Sequence, residues 1–264
     1  MDGLGPLALP EYEVHLWFAF PEEIQDQALL TRYHGFLNAE EAQQQARFYF
    51  EKHRHQYLVT RAVIRTLLAR YDGLAPAEWR FVKNRYGRPA IAPGLGTKRP
   101  RFNLSHTDGL IACAVTLDRE VGVDVEHMGR GGDLIPIADR FFSPKEVEDL
   151  HQVPEQRQID RFFDYWTLKE SYIKARGMGL SIPLEQFSFH IGDHAALDLS
   201  VDPRQNDPPS RWQFRQWAVS TDYKAALALE REAGRSFRVI MRSLVPLKED
   251  GEFKRGRELR SNFD

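Results

Sequence analysis

Apolar and polar positions alternate in several short stretches of the chain, and helical spacing runs through two long ones. In EVHLWFAF, Val14, Leu16 and Phe18 fall on one side of a predicted first strand. From about Asn38 to Tyr71 the spacing predicts a helix, with Asn38 as its cap. Leu58, Ala62, Arg65 and Leu68 share one face of it and Val63, Leu67 and Arg70 the next, so its second half reads as a core helix bordered by arginines. WRFVKNRYGRPAI holds two short extended pieces around a turn at Gly87 and Pro89. FNLSHTDGLIACAVTL then reads as a hairpin pivoting near Thr107, Asp108 and Gly109, with VGVDVEH as the next strand. In FFSPKEVEDL, Ser143, Pro144 and Glu146 make a capping box at a helix start. IDRFFDYWTLKESYIKARG is a second long helix ending at Gly177, with Lys174 and Arg176 in the last turn, where the helix dipole favours cations.

After that helix, MGLSIPLEQFSF returns to extended structure and RWQFRQWAVSTDYKAALALE makes another hairpin. Its STDYKAALAL echoes SHTDGLIACAV from the first half, and each half carries one long helix. The expected fold is therefore α+β: two similar lobes, each a small, mainly antiparallel sheet with a long helix. The lobes are placed at residues 1–120 and 121–242, followed by a charged, loosely attached tail at 243–264.

Composition narrows the function classes. No hydrophobic run nears the ~20 residues of a membrane span. A net charge of -2 makes no overall case for nucleic-acid binding. The single cysteine, Cys113, excludes an internal disulfide and reads as a core residue inside LIACAV. The acidic N-terminus does not resemble a secretion signal, and a cytoplasmic location is expected. Walker, dinucleotide, His-Glu-x-x-His and Gly-x-Ser-x-Gly signatures are absent.

Two acidic residues interrupt the strand VGVDVEH. Val121, Val123 and Val125 point one way, and Gly122, Asp124 and Glu126 the other, with the two carboxylate positions about 6.5 to 7 Å apart. That spacing suits a shared hard cation such as Mg²⁺ or Mn²⁺, with Gly122 leaving room for a ligand. A solvated acidic edge is the plain alternative. On the second long helix, Tyr165, Leu168, Tyr172 and Ala175 form a core stripe, while Trp166, Glu170 and Lys174 stand at i, i+4 and i+8 on roughly the opposite face. Glu170 there needs a cationic partner, either Lys174 or a metal. Ser105 and His106 follow Asn103 just before a turn, and Arg88 offers a planar fork; both features suit an anion.

The segments FNLSH, GVDVE and WTLKESYIKARGMGL, in that order, resemble the Sfp-type 4′-phosphopantetheinyl transferases. The likeness extends to YGRP and RFFSPKE and covers roughly residues 40–190, with strand content continuing to about 230. The resemblance implies two pseudo-twofold-related lobes with the active site between them. It implies transfer of phosphopantetheine from coenzyme A to a serine of an apo acyl or peptidyl carrier protein, releasing adenosine 3′,5′-bisphosphate. By motif position, Asp124, Glu126 and Glu170 match the Mg²⁺ (or Mn²⁺) and pyrophosphate carboxylates, and Lys174 a lysine at the phosphates. Ser105 and His106 match the segment at the coenzyme's 3′-phosphate, and Arg88 stands where the family usually has lysine. Pro89, Asn103 and Lys169 are expected at the coenzyme too, and Lys52, Arg54 or Arg47 as first-helix phosphate ligands. Glu170 is the expected general base, with Glu126 competing. No nucleic acid or membrane partner is expected, and a monomer suffices to complete the site. The alternatives are a Mg²⁺-dependent phosphodiesterase acting on coenzyme A-like pyrophosphates and a non-catalytic coenzyme A-binding module.

Overall fold

The computed structural model describes residues 4–192 and 196–263. The elements that matter for the site are strands β1 (Glu13–Ala19), β2 (Phe81–Lys83), β3 (Pro89–Ile91), β4 (Pro100–Thr107), β5 (Leu110–Leu117) and β6 (Val121–His127), with helices α1 (Gln27–His34), α2 (Ala39–Ala46) and α3 (Glu51–Asp72). Helices α4 (Ile135–Phe141), α5 (Pro144–Gln152) and α6 (Glu155–Arg176) follow, and then β7 (Phe187–Ile191), β8 (Leu197–Val201), β9 (Trp212–Ala218), β10 (Tyr223–Glu230), β11 (Arg238–Val245), β12 (Glu249–Glu252) and β13 (Arg257–Ser261).

Two sheets carry the α+β fold. One has the order β12-β11-β1-β5-β4, the other β13-β9-β10-β6, and each has one long helix on its outer face. The alternation read from the sequence assigns the faces. Trp17, Ile111, Cys113 and Val115 pack with Leu67 and Tyr71 of α3, whereas Phe214, Ala226 and Ala228 pack with Leu168 and Tyr172 of α6. Between the sheets, Val14, Leu16 and Phe18 meet Val121, Val123, Val125, Leu227 and Leu229. The valine face of β6 is thus inner core, and its acidic face turns outward to α6.

Edge strands β4 and β6 close the two sheets against each other by an unusual route. The β6 backbone N–H groups of Val123, Val125 and His127 donate to the side chains of Asn103, Ser105 and Thr107 at 2.9, 3.3 and 3.2 Å. Alternate residues of β4 thereby satisfy edge donors that would otherwise be orphaned at a buried seam.

Three expectations change. The helix predicted over 38–71 is two helices: Asn38 caps α2 in a capping box, and Phe50, extended at φ -87° and ψ 138°, opens α3. The break lets Glu41 fold back onto α3, where Arg61 and Arg65 hold its carboxylate. Arg65 is fully buried, not at a border, and also donates to the carbonyls of Trp79 and Pro76 at 2.7 and 3.0 Å. The C-terminal segment is not a loose tail. Strand β11 runs parallel to β1, β12 pairs with β11, and β13 pairs with β9, so the last strands join both sheets. Phe237 and Phe253, set among charged residues, are buried in the inter-sheet core and explain the attachment. Helix α1, capped by Asp26, was not foreseen.

Candidate active site

Helix α6 lies against β6 because Gly122 has no side chain. A Cβ there would stand 2.1 Å from the Ser171 carbonyl oxygen and 2.4 Å from the Ala175 nitrogen. The space that the sequence suggested for a ligand is filled by helix backbone. The consequence is functional, since close approach brings the Trp166, Glu170 and Lys174 stripe over the acidic face of β6.

The contacts follow that stripe in order. Trp166 Nε1 donates to Glu126 Oε1 at 2.9 Å, and Arg130 reaches the same oxygen at 3.3 Å. Lys174 Nζ donates to Asp124 Oδ1 at 2.6 Å and to Ser105 Oγ at 2.8 Å. Ser105 Oγ donates in turn to Asp124 Oδ1 at 2.9 Å. Asp124 is 3% exposed, and its second oxygen, Oδ2, is buried without a hydrogen-bond partner. Such an atom is costly to leave unmade and marks where a cation would be welcome.

Electrostatics agree. Burial raises the Glu170 carboxyl to about 7, with Asp124 and Glu126 adding to the rise and Lys174 opposing it. Glu126 is raised by burial and by Asp124, against Arg130 and Trp166. Three carboxyl groups therefore sense one another across β6 and α6. Among the described residues, no group of three or more His, Cys, Asp or Glu side chains is assembled as a metal site.

A cavity of about 280 Å³ opens beside them, lined by Tyr86, Arg88, Pro89, Asn103, Glu170 and Lys174, among others, with the 76% exposed Leu180 also in its wall. Five of the residues read from the sequence thus share one cavity. Tyr86, Leu180 and the Glu126 partner Arg130 were not singled out, although Tyr86 stands inside the quoted YGRP and Leu180 ends the quoted WTLKESYIKARGMGL. Arg88 lies in the wall with its fork engaged: it pairs with Glu120 and donates to the carbonyls of Ala175 and Val121 at 2.8 and 3.1 Å. It fastens the 84–88 turn to both α6 and β6.

Other expected ligands lie elsewhere. Lys169 is fully buried on another face of α6, where it pairs with Glu146 at 2.7 Å and donates to the carbonyls of Leu184 and Phe187, both at 2.8 Å. One residue along a helix turns the side chain by about 100°, which separates Lys169 from Glu170. Lys52 pairs with Asp108 at the β4-β5 turn and Arg54 with Glu51, and neither lines the cavity. Arg47 caps the C-terminus of α2. Ser105 and His106 face opposite ways on β4: Ser105 joins the Asp124 network, while His106 is exposed on the face toward α3. Packing around its ring, then the charge of Lys174, lowers the His106 pKa.

Known proteins match this arrangement in two segments. Residues 120–228 match the 4′-phosphopantetheinyl transferase superfamily, and residues 25–117 match the 4′-phosphopantetheinyl transferase N-terminal family. The 4′-phosphopantetheinyl transferase HetI of Nostoc sp. is 36% identical over 75% of this chain and 82% of its own length. A 4′-phosphopantetheinyl transferase of Bacillus subtilis is 37% identical over 72% and 81%, and Sfp of the same species 31% over 74% and 83%. The class is thereby an enzyme, a transferase. More particularly, the chain belongs to the 4′-phosphopantetheinyl transferase superfamily.

Proposed function

We propose that this transferase moves the 4′-phosphopantetheine group of coenzyme A onto a serine of an apo acyl or peptidyl carrier protein. The observation that carries the reading is the network of Lys174, Asp124 and Ser105 beside Glu170 in one cavity. The serine oxygen forms a bond to the phosphorus that carries pantetheine, and the pyrophosphate P–O bond breaks to release adenosine 3′,5′-bisphosphate. Glu170 takes the hydroxyl proton, directly or through a water, and a carboxyl titrating at about 7 suits that exchange near neutrality. Lys174 stands where negative charge grows on the departing phosphate. Asn103 and Ser105 hold β6 in place, so that Asp124 is presented rigidly.

The donor set fits a hard divalent cation. Asp124, with its unpartnered Oδ2, would hold Mg²⁺ together with Glu126 and Glu170, and Mn²⁺ would serve as well. When bound, the ion supplies neutralising charge to the pyrophosphate. No helix is long and apolar enough to cross a membrane among the described residues, and one chain contains every residue of the proposed site. The protein acts as a monomer with no nucleic acid partner in this reading.

The test mixes the protein, Mg²⁺, coenzyme A and a panel of apo carriers, and follows the carrier by intact mass. A carrier heavier by one phosphopantetheine group is expected. Coenzyme A consumed while every carrier stays unmodified would instead mean hydrolysis. Glu170→Gln is expected to abolish transfer and leave coenzyme binding measurable by calorimetry; retained turnover would remove Glu170 from the base role.

A further inference from the structure

Each carboxylate of β6 is answered by one cationic side chain, and the two cations are held in different ways. Lys174, at 2.6 Å from Asp124 Oδ1, projects from helix α6 and is also fastened to Ser105 Oγ at 2.8 Å. Glu126 Oε1 is met by the Trp166 indole at 2.9 Å and by Arg130 Nη1 at 3.3 Å. The indole is fixed as well, stacked on Phe162, which is itself stacked on Phe142. Arg130 is the exception: its side chain is 53% exposed, and among the described residues its one ion pair is with Glu126. Trp166 already gives Oε1 the closer donor, so what Arg130 adds is chiefly charge.

The backbone that carries Arg130 is anchored on one side. Met128 N–H donates to the Asp222 carbonyl at 2.7 Å, and the N–H groups of Gly129 and Arg130 turn back onto His127 at 3.0 and 3.1 Å. A Cβ on Gly129 would stand 2.7 Å from the His127 ring, so the end of β6 is tightly packed. Beyond it, Gly131, Gly132 and Asp133 are exposed until Leu134 is buried at the start of α4. A Cβ on Gly131 or Gly132 would meet nothing within 4 Å. Arg130 can therefore leave Glu126 by turning its side chain and shifting three exposed residues, with β6, α6 and the seam to β4 undisturbed. An ion pair so open to solvent is weak enough to be exchanged.

We propose that Arg130 is a built-in counter-ion that holds the place of the divalent cation on Glu126 and is displaced when that cation binds, so that it sets the affinity for the metal. The inference rests on the reading of Asp124, Glu126 and Glu170 as the cation's ligands above. A divalent ion on Glu126 and a guanidinium on the same carboxylate repel each other, and the side chain free to move relieves the repulsion. The test measures Mn²⁺ binding to wild type, Arg130→Gln and Arg130→Lys by electron paramagnetic resonance of the free ion, with and without coenzyme A. Limited trypsin digestion, followed by intact mass, reports on the Arg130–Gly131 bond. Arg130→Gln is expected to bind Mn²⁺ about fivefold more tightly than wild type, and Arg130→Lys within about twofold of it. In wild type, Mn²⁺ is expected to hasten cleavage after Arg130 and at no other site. Equal or weaker binding by Arg130→Gln, or no gain in cleavage at Arg130, would overturn the counter-ion role while leaving the metal site intact. Wild-type protein that binds no Mn²⁺, or Asp124→Asn that binds it as tightly as wild type, would remove the metal reading itself and this inference with it.

Discussion

Gly122→Ala is the smallest change that should disable this enzyme. The added Cβ would meet the Ser171 carbonyl oxygen at 2.1 Å and the Ala175 nitrogen at 2.4 Å, where ordinary contact begins near 3.4 Å. Both obstacles are helix backbone, so no side chain can swing aside, and α6 must lift from β6 by about 1 Å. Overpacking of this kind costs about 1 to 3 kcal/mol. For a chain of this size that lowers the melting temperature by roughly 2 to 4 °C per kcal/mol. The catalytic loss should be larger than stability alone explains, because Lys174 and Glu170 ride on the same helix and a misplacement of ~1 Å can cost ~10²-fold in rate. The assay pairs thermal unfolding with single-turnover transfer at a temperature where the variant remains folded. A variant that melts with wild type and transfers within twofold of its rate would refute the argument that backbone contact at Gly122 sets the helix position.

Trp166→Phe keeps the ring but removes the indole donor to Glu126, and transfer is expected to fall about tenfold, as loss of a charge-assisted hydrogen bond implies, with coenzyme affinity by calorimetry unchanged. Lys169→Met leaves Glu146 buried without its cation and should destabilise by about 3 to 5 kcal/mol in urea unfolding; adding Glu146→Leu should recover much of the loss, and neither change should act as removal of a coenzyme ligand. The Glu41 carboxyl is held below its ordinary value, since Arg61 and Arg65 outweigh the burial that would raise it. Its contribution is therefore complete above the unfolded carboxyl value and is lost as pH falls through the folded one, so Glu41→Gln should be less stable at pH 7 and show a flatter decline of melting temperature in acid.

How far the sequence reveals this molecule depends on the range of the interactions that decide each part. Strands and hairpins were readable because alternation is local, as in the FNLSHTDGLIACAVTL hairpin. The stripe of Trp166, Glu170 and Lys174 was readable for the same reason, three residues one turn apart needing no knowledge of the fold. The break at 47–50 was not readable, because RFYF holds neither glycine nor proline and the interruption serves an ion pair from Glu41 to Arg65, 24 residues on. Lys169 was placed at the coenzyme through its neighbours in a motif, although helix geometry turns it toward Glu146. The C-terminal strands were hidden by their charge; their partners lie in β1, more than two hundred residues earlier, and in β9.

Strand β6 shows why stability and chemistry are hard to separate here. Its valines lie in the inter-sheet core, its carboxylates face α6, and its outer backbone donors are satisfied by side chains of β4. Ser105 belongs to two of these systems at once, accepting from the Val125 N–H and from Lys174 while donating to Asp124. A hydroxyl has capacity for one donated and two accepted bonds, and at Ser105 all of it is used. The seam that holds the two sheets together is therefore the same set of bonds that aims Asp124 Oδ2 with no protein partner of its own, and a site so constructed cannot loosen at the seam without losing the orientation of its carboxylate.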